Sequence, residues 1–388
     1  MRLLVVSHAC VMAVNQALYS RVAALTGWEV DIMVPARWRN EYGRQRPQRV
    51  DGFHGQLMPL PVLLAGNIPL HTYVARLRHR LRALAPDAIY LHHEPYAIAT
   101  AQFVLAARSA VPKAPIGIYS AQSLVKHYLW PITAAERMVH RHADFALPVS
   151  EEVAEALRAK GYKGRVDVLP LAVNVAALRP DEAAEPRVGT PTIGYVGRLA
   201  TEKGVDTLLE AMSRLGAHEA RALIVGEGAD RGRLERLSQA LGLGDRVEWP
   251  GYVPHDRVAS EYRRMDVLVV PSRTVSSWKE QFGRIVIEAL ACGVPVLVSD
   301  SGELPRLIER TGGGWVVAEG DADALAAALR SVLPDREERV RRGAAGRAYV
   351  ERELSLDAIA ARFASVVSEV LEAHTMPMPG SASLASGP

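Results

Sequence analysis

Apolar residues in this chain come in short continuous runs set between longer amphipathic stretches, and few folds can bury that pattern. The runs Leu3–Ser7, Val30–Pro35, Ala88–His92, Ile116–Ser120, Phe145–Val149 and Val166–Pro170 read as strands. Helical patterns cover Val14–Thr26, Ala97–Arg108 and Glu151–Lys160. Strands without polar alternation are buried on both faces, which requires a parallel sheet with helices on each side. The stretch Arg179–Pro191, with three prolines and no hydrophobic period, reads as a linker. A second series follows, with strands expected at Thr192–Val196, Ala222–Val225, Val267–Val270, Pro295–Ser299 and Trp315–Ala318, and helices between them, including Asp321–Leu333. The expected fold class is therefore α/β, with two doubly wound units, whose ligands bind at the carboxyl ends of the strands. A helix at Leu356–Ala373 follows the second unit, and His374–Pro388 reads as a disordered tail.

Composition narrows the function classes. With 388 residues, 49% hydrophobic and 23% charged, the chain has ordinary globular balance and room for two to three domains of ~150 residues. A net charge of +3 gives no reason to expect nucleic-acid binding. Residues 1–175 nevertheless hold 20 basic against 12 acidic residues, and the remainder 26 against 31, so a basic half is joined to an acidic one. The two cysteines, Cys10 and Cys292, lie far apart in apolar surroundings, which fits a reducing, cytoplasmic setting. There is no run of ~18 apolar residues to span a membrane. The first residues read as a buried strand and not as a signal peptide.

Three constellations carry chemistry. Gly197-Arg198-Leu199, with Glu202-Lys203-Gly204 behind it, places two cations in a strand-to-helix turn, which suits a diphosphate. Val225-Gly226-Glu227-Gly228 stands at the next strand end and reads as one wall of a nucleotide pocket, although as a fingerprint it is only a loose match. Glu280-Gln281-Phe282-Gly283-Arg284 leads into the helical run Ile285–Ala291, which carries Glu288. Amides of Phe282 through Ile285 would form an anion-accepting helix N-terminus. Glu280 could accept from sugar hydroxyls and Glu288 from ribose hydroxyls; a carboxylate in so apolar a stretch needs a partner.

Other signals have plainer readings. Asp321-Ala322-Asp323 looks like a metal motif but precedes a helix, so Asp321 reads as its N-cap. His92-His93-Glu94 has no His or Cys cluster nearby at zinc-like spacing, so no metal is expected there. Arg76, Arg78, Arg80 and Arg82 read as a solvated face. They and Trp38, between Arg37 and Arg39, also admit contact with anionic lipid.

At these residues the chain resembles the retaining glycosyltransferases of family 4. The ordered series Gly197-Arg198-Leu199, Glu202-Lys203-Gly204, Val225-Gly226-Glu227-Gly228, Gly251-Tyr252-Val253, Glu280 with Phe282-Gly283 and Glu288, and Ala291-Cys292-Gly293-Val294-Pro295-Val296 carries the resemblance. The first half matches through Pro170-Leu171-Ala172-Val173-Asn174 and its strand–helix order. The resemblance implies the GT-B architecture, two Rossmann-like domains facing a central cleft. Residues 1–178 would form the acceptor-side domain, completed by the helix 356–373. Residues 179–191 would be the linker, and 192–355 the nucleotide-sugar domain.

It further implies a hexosyltransferase-type enzyme that moves a sugar from a nucleoside-diphosphate donor to an acceptor hydroxyl with retained configuration. No cofactor and no metal are expected. Arg198 and Lys203 would hold the diphosphate, Glu280 the transferred sugar and Glu288 the ribose. Gly197, Gly226 and Glu227 would line the nucleotide, Tyr252 and Val253 the base. Phe282, Gly283, Arg284 and Ile285 would line the diphosphate and sugar through their amides. Members of the family carry a Gly-Gly loop after the first strand, where this chain has Val14-Asn15-Gln16, with Asn15 in position to touch the donor. Many also have a histidine after the strand corresponding to Ile116–Ser120. Here Ala121-Gln122-Ser123 occupies that place, which leaves Gln122 or His93 as the replacement.

The expected acceptor is a glycan, a lipid-linked molecule or a small molecule, in cell-surface glycan, glycolipid or secondary-metabolite synthesis. The expected location is the cytoplasm or the inner face of the membrane, with peripheral contact through the basic half. Two rivals remain at this point: a sugar-nucleotide epimerase of the same architecture, and a non-catalytic sugar-nucleotide-binding protein.

Overall fold

The computed structural model describes residues 1–40, 43–181 and 189–375. Most of the linker stretch and nearly all of the tail fall outside these residues. The chain divides into two compact units: Met1–Val149 with Ala154–Leu169 and the chain from Ala360, and Ser150–Val153 with Pro170–Ile359.

The first unit holds β1 (Arg2–Ser7), α1 (Ala17–Thr26), β2 (Glu29–Pro35), β3 (Leu57–Leu60), α2 (Leu77–Leu84), β4 (Ala88–His92), α3 (Ile98–Ala110), β5 (Ile116–Ser120), α4 (Ile132–His142), β6 (Phe145–Pro148), α5 (Glu151–Ala159) from Ala154 onward, and β7 (Arg165–Val166). Its seven-stranded sheet runs β7-β6-β5-β4-β1-β2-β3, and every pairing is parallel. Leu3 to Val6 of the central strand are shut off from solvent, as a strand covered on both faces must be. The chain leaves β2 and β3 on one side of β1 and returns to place β4 on the other. The strand order therefore reverses between β1 and β4.

The second unit holds β8 (Thr192–Val196), α6 (Val205–Ser213), β9 (Arg221–Val225), α7 (Arg231–Ala240), β10 (Val247–Gly251), α8 (Val258–Tyr262), β11 (Val267–Val270), α9 (Arg284–Ala291), β12 (Val296–Ser299), α10 (Leu304–Thr311), β13 (Gly314–Val317), α11 (Ala322–Val332) and α12 (Arg336–Tyr349). The sheet order is β10-β9-β8-β11-β12-β13, again all parallel, with its reversal between β8 and β11. One face packs Leu208, Leu209 and Met212 of α6 with Leu325 and Leu329 of α11 against Ile193 and Ile224 of the sheet.

Several expectations need correction. β10 and β3 were not legible as strands. β10 is an edge strand carrying Glu248 and Pro250, residues that read as breakers unless one edge of the strand needs no partner. The helix expected from Val14 begins at Ala17, after a tight turn at Ala13–Gln16. Gln16 fixes that turn, since its Nε2 donates to the carbonyls of Cys10 at 2.7 Å and Gln48 at 2.6 Å. β7 is shorter than Val166–Pro170, although Asp167 and Leu169 still donate to Ala146 and Pro148 of β6. Trp38 is buried against the rings of His8 and His71, so it is not available to a lipid surface. Asp321 does cap α11, accepting from the Ala324 amide at 2.8 Å. No helix among the described residues is long and apolar enough to cross a membrane.

The last helix, α13 (Leu356–Thr375), packs on the first sheet. Phe363 is fully buried and meets Tyr90 and Tyr19 edge-on, with ring centroids 5.1 and 6.0 Å apart. Phe363→Ala should therefore destabilise the first unit by about 3–5 kcal/mol. Leu105→Ala, at an exposed position of α3, should change stability by no more than about 0.5 kcal/mol. Denaturant unfolding followed by circular dichroism checks both; equal effects would deny α13 its place in the core.

Candidate functional site

In an open parallel sheet the carboxyl ends of the strands share one edge, and the crevice opens where the strand order reverses. In the second unit that point lies between β8 and β11. The loops leaving those two strands, and the loop leaving β9, carry nearly all the candidate residues, and they are fastened to one another through glycines. Gly204 has φ +68°, and a Cβ there would sit 1.9 Å from the carbonyl oxygen of Pro271. The β8 and β11 loops can approach that closely only with glycine at this position. Gly226 has φ +141°, and a Cβ would lie 1.9 Å from the carbonyl oxygen of Gly197. Its N–H donates to Gly251 at 2.9 Å, and that of Gly197 donates to Val225 at 3.0 Å. The glycines read from sequence as parts of a diphosphate turn and of a nucleotide-pocket wall thus have an immediate structural cause, loop against loop.

The charged residues converge on this crevice. Lys203 Nζ donates to Glu280 Oε2 at 2.8 Å across 77 residues of sequence, and lies 4.2 Å from the centroid of the Trp278 ring. Ser272 Oγ donates to the same oxygen at 3.0 Å. Glu280 Oε1 accepts from no described residue, which leaves one oxygen of a buried carboxylate for a ligand hydroxyl. Arg198 is half exposed and pairs with Glu202 at 2.7 Å. A surface pair of that kind is weak and yields readily to a better anion. Glu227 pairs with Arg231.

Helix α9 opens at Gly283, which has φ +84° and offers no capping side chain. The Val286 amide donates to the Gly283 carbonyl at 3.0 Å, and the amides of Arg284 and Ile285, with the positive dipole end, are left for an anion. Phe282 is buried, and Arg284 and Ile285 are half-buried. Arg284 makes no hydrogen bond or ion pair with any described residue. Of the cations Arg198, Lys203 and Arg284, it alone stands without a carboxylate.

Glu288, one turn further in, is buried, but its carboxylate is not unsatisfied. Tyr262 donates to Oε2 at 2.9 Å, and His255 Nε2 lies 3.1 Å from Oε1. Burial and the Glu288 charge together push the Tyr262 phenol well above its ordinary range. The apolar setting of Glu288 does demand partners, and the chain supplies two. No sequence signal could name them, because 26 and 33 residues separate them from it. His255 is partly exposed, so the Oε1 side remains the approach for a ligand. Tyr252 is half exposed at the end of β10, and Val253 follows it.

The first-unit candidates sit at the carboxyl edge of their own sheet. Asn15 Nδ2 donates to the Ala9 carbonyl at 2.8 Å, closing the loop after β1. His93 is fully buried, and its Nε2 accepts the backbone N–H of His8 at 3.0 Å. Gln122 Oε1 accepts from the Leu124 amide at 3.3 Å. The loop that carries Gln122 is clamped by Glu94, which accepts from Ser120 Oγ at 2.9 Å and from the Ala121 amide at 2.8 Å. Desolvation raises the Glu94 carboxyl to about 7 against those two bonds. Sequence reasoning saw Glu94 only as part of a metal-like triplet.

Comparison with known proteins follows the two units. The family model described as glycosyl transferases group 1 matches residues 180–349, and that of the glycosyl transferase 4-like domain matches residues 13–172. A GDP-mannose-dependent alpha-(1-6)-phosphatidylinositol monomannoside mannosyltransferase of Mycobacterium tuberculosis is 32% identical over 251 residues, 61% of this chain and 65% of that protein. The 2-deoxystreptamine glucosyltransferase of Streptomyces kanamyceticus is 31% identical over 234 residues, 57% of this chain and 59% of its own length. The chain thus spans less than two thirds of these relatives. Among solved structures, sucrose-phosphate synthase from Thermosynechococcus elongatus superposes with a TM-score of 0.72 at 23% identity, over 96% of this chain and 100% of that one. Anabaena HepE, solved with UDP and glucose, gives 0.73 at 17%, over 95% and 100%. These structural likenesses concern the fold. With one family model on each half and the ordered motifs of the second unit in place, the chain belongs to the family-4-type glycosyltransferases of GT-B fold.

Proposed function

We propose that the protein transfers a sugar from a nucleoside-diphosphate donor to an acceptor hydroxyl, with retained anomeric configuration and without a metal ion on the diphosphate. The observation that carries this reading is the contact of Lys203 with Glu280 at the strand-order reversal of the second unit. It sets a cation for the leaving diphosphate beside a carboxylate with one free oxygen for the sugar. Arg198, Arg284 and the uncapped start of α9 supply the remaining positive character that a divalent ion would otherwise provide. Glu288 receives the ribose on its Oε1 side, and Tyr252 and Val253 flank the base. The acceptor hydroxyl attacks on the face from which the diphosphate departs, and the leaving phosphate takes its proton.

The named substrates of the relatives, GDP-mannose with a phosphatidylinositol mannoside and 2-deoxystreptamine, support a lipid-linked or small-molecule acceptor. The test is direct: incubation with an α-linked donor and a candidate acceptor, followed by NMR of the product. An α-linked product with release of nucleoside diphosphate supports the proposal. An isomerised free sugar indicates an epimerase, and tight nucleotide binding with no turnover indicates a binding protein.

Arg198→Ala and Lys203→Ala should each cost about 1.5–3 kcal/mol of nucleoside-diphosphate affinity, roughly 10- to 150-fold, and leave nucleoside affinity nearly unchanged. Equal losses in calorimetric titrations of nucleoside and diphosphate would remove both residues from the phosphates. Glu288→Gln should mainly raise the donor KM, because ribose lies away from the breaking bond and its contact changes little between ground and transition state. Glu280→Gln should depress kcat itself, since the sugar beside it gains positive character as the diphosphate leaves. Steady-state kinetics showing the reverse pattern would exchange the two roles. Transfer should run at full rate without added magnesium or manganese, and neither ion should accelerate it. A rate that rises in proportion to the occupancy of either ion would put a metal on the diphosphate.

A further inference from the structure

The strand-order reversal of the first unit, between β1 and β4, carries a cluster that the donor chemistry does not use. His8 follows β1 and His93 follows β4. His71 stands on the segment between β3 and α2, just before Thr72, which pairs with Leu63 in a short ribbon. His71 and His93 are fully buried. The ring of His8 stacks on His93 with centroids 5.0 Å apart, and His71 lies 5.2 Å from His93 and 5.7 Å from His8. Each ring has one buried nitrogen without a partner: Nδ1 of His8, Nε2 of His71 and Nδ1 of His93. Buried polar atoms are seldom left so, and three on neighbouring rings need an explanation.

We propose that His8, His71 and His93 form a three-histidine site for a divalent transition-metal ion, with zinc as the ion that best matches the ligands. One ligand nitrogen from each ring can be chosen so that all three lie within 4.8 Å of one another, and this is the one such group among the described residues. Around a tetrahedral zinc with Zn–N of ~2.0–2.1 Å the nitrogens stand ~3.4 Å apart, so the rings close by about an ångström on binding. His71 is already oriented for this. Its Nδ1 donates to the carbonyl oxygens of Ile68 at 2.9 Å and Asn67 at 3.2 Å, which leaves the lone pair on Nε2. Backbone carbonyls fix the tautomer of metal-binding histidines in the same way.

His93 must change. Its Nε2 now accepts from the His8 amide, so its proton sits on Nδ1. It joins the ion by moving that proton to Nε2, with no net release, and the His8 amide gives up its acceptor. Two N–H groups 3.0 Å apart cannot stay face to face, so the His93 ring also turns away from that amide as it takes up the ion. Sequence spacing hid the site, because its three ligands come from three separate segments. Three protein ligands leave a fourth position for water or a substrate oxygen. The site lies wholly in the first unit and does not depend on the reading of the donor site.

The experiment uses the untagged full chain, stripped with chelator and titrated with cobalt(II), then with zinc(II) in competition. The expected result is one equivalent of cobalt bound, with the intense visible absorption of a four-coordinate nitrogen-ligated ion, displaced by zinc. A weak six-coordinate spectrum, or no saturable binding, overturns the proposal on the wild-type protein alone. His71→Gln and His93→Gln should each weaken zinc binding by at least the ~10–100-fold that loss of a supporting contact costs elsewhere. His218→Gln, on the surface of the second unit, should change nothing. Circular dichroism establishes that the variants are folded. Unaltered zinc affinity in a folded His71→Gln would place the ion elsewhere and refute the site.

Discussion

Both crevices of this molecule follow from the parallel pairing of the strands in its two main sheets. Parallel strands send all their carboxyl ends to one edge, and a reversal of strand order leaves neighbouring loops diverging from a common gap. Each unit has one such gap, between β1 and β4 and between β8 and β11. The loops around the second are joined by backbone contacts through Gly204 and Gly226 that leave no room for a side chain. That fastening gives a fixed frame on which Arg198, Lys203 and Glu280 can stand.

The charges on the frame are mostly paired with one another. Lys203 is held by Glu280 and Arg198 by Glu202, while Glu288 is held by Tyr262 and His255. Such pairing keeps buried charge satisfied while no ligand is bound. An anion approaching Lys203 or Arg198 would therefore have to exchange partners and would not find bare cations. Arg284, at the start of α9, is the exception among these residues. It and the amides beside it offer an anion an attraction that breaks no existing bond.

The two reversal points differ in chemistry. The second is charged and suits phosphate and sugar hydroxyls. The first is built from buried imidazoles, Trp38 and the Glu94 clamp on the loop after β5. The histidine expected from the resemblance on that loop is absent here; Ala121-Gln122-Ser123 stands in its place, and Glu94 accepts from the Ala121 amide and the Ser120 hydroxyl beside it.

The central strands β1, β4, β5, β8 and β11 were legible to within a residue, because a run buried on both faces leaves an unbroken apolar signature. The edge strand β10 was not, since an edge tolerates Glu248 and Pro250 and so loses that signature. The site followed the same division. Motifs local in sequence, such as Gly197-Arg198 and the start of α9, could be read because a turn and a helix end are made by adjacent residues. So could the burial of Glu288, from its apolar neighbours. What touches what could not be read. The Lys203–Glu280 contact, the partners of Glu288 and the meeting of His8, His71 and His93 all join residues brought together only by crossovers between parallel strands. Sequence determined which segments fold and what chemistry they carry; the tertiary structure alone decided their partners, because those distances are set by the order of strands in the sheet.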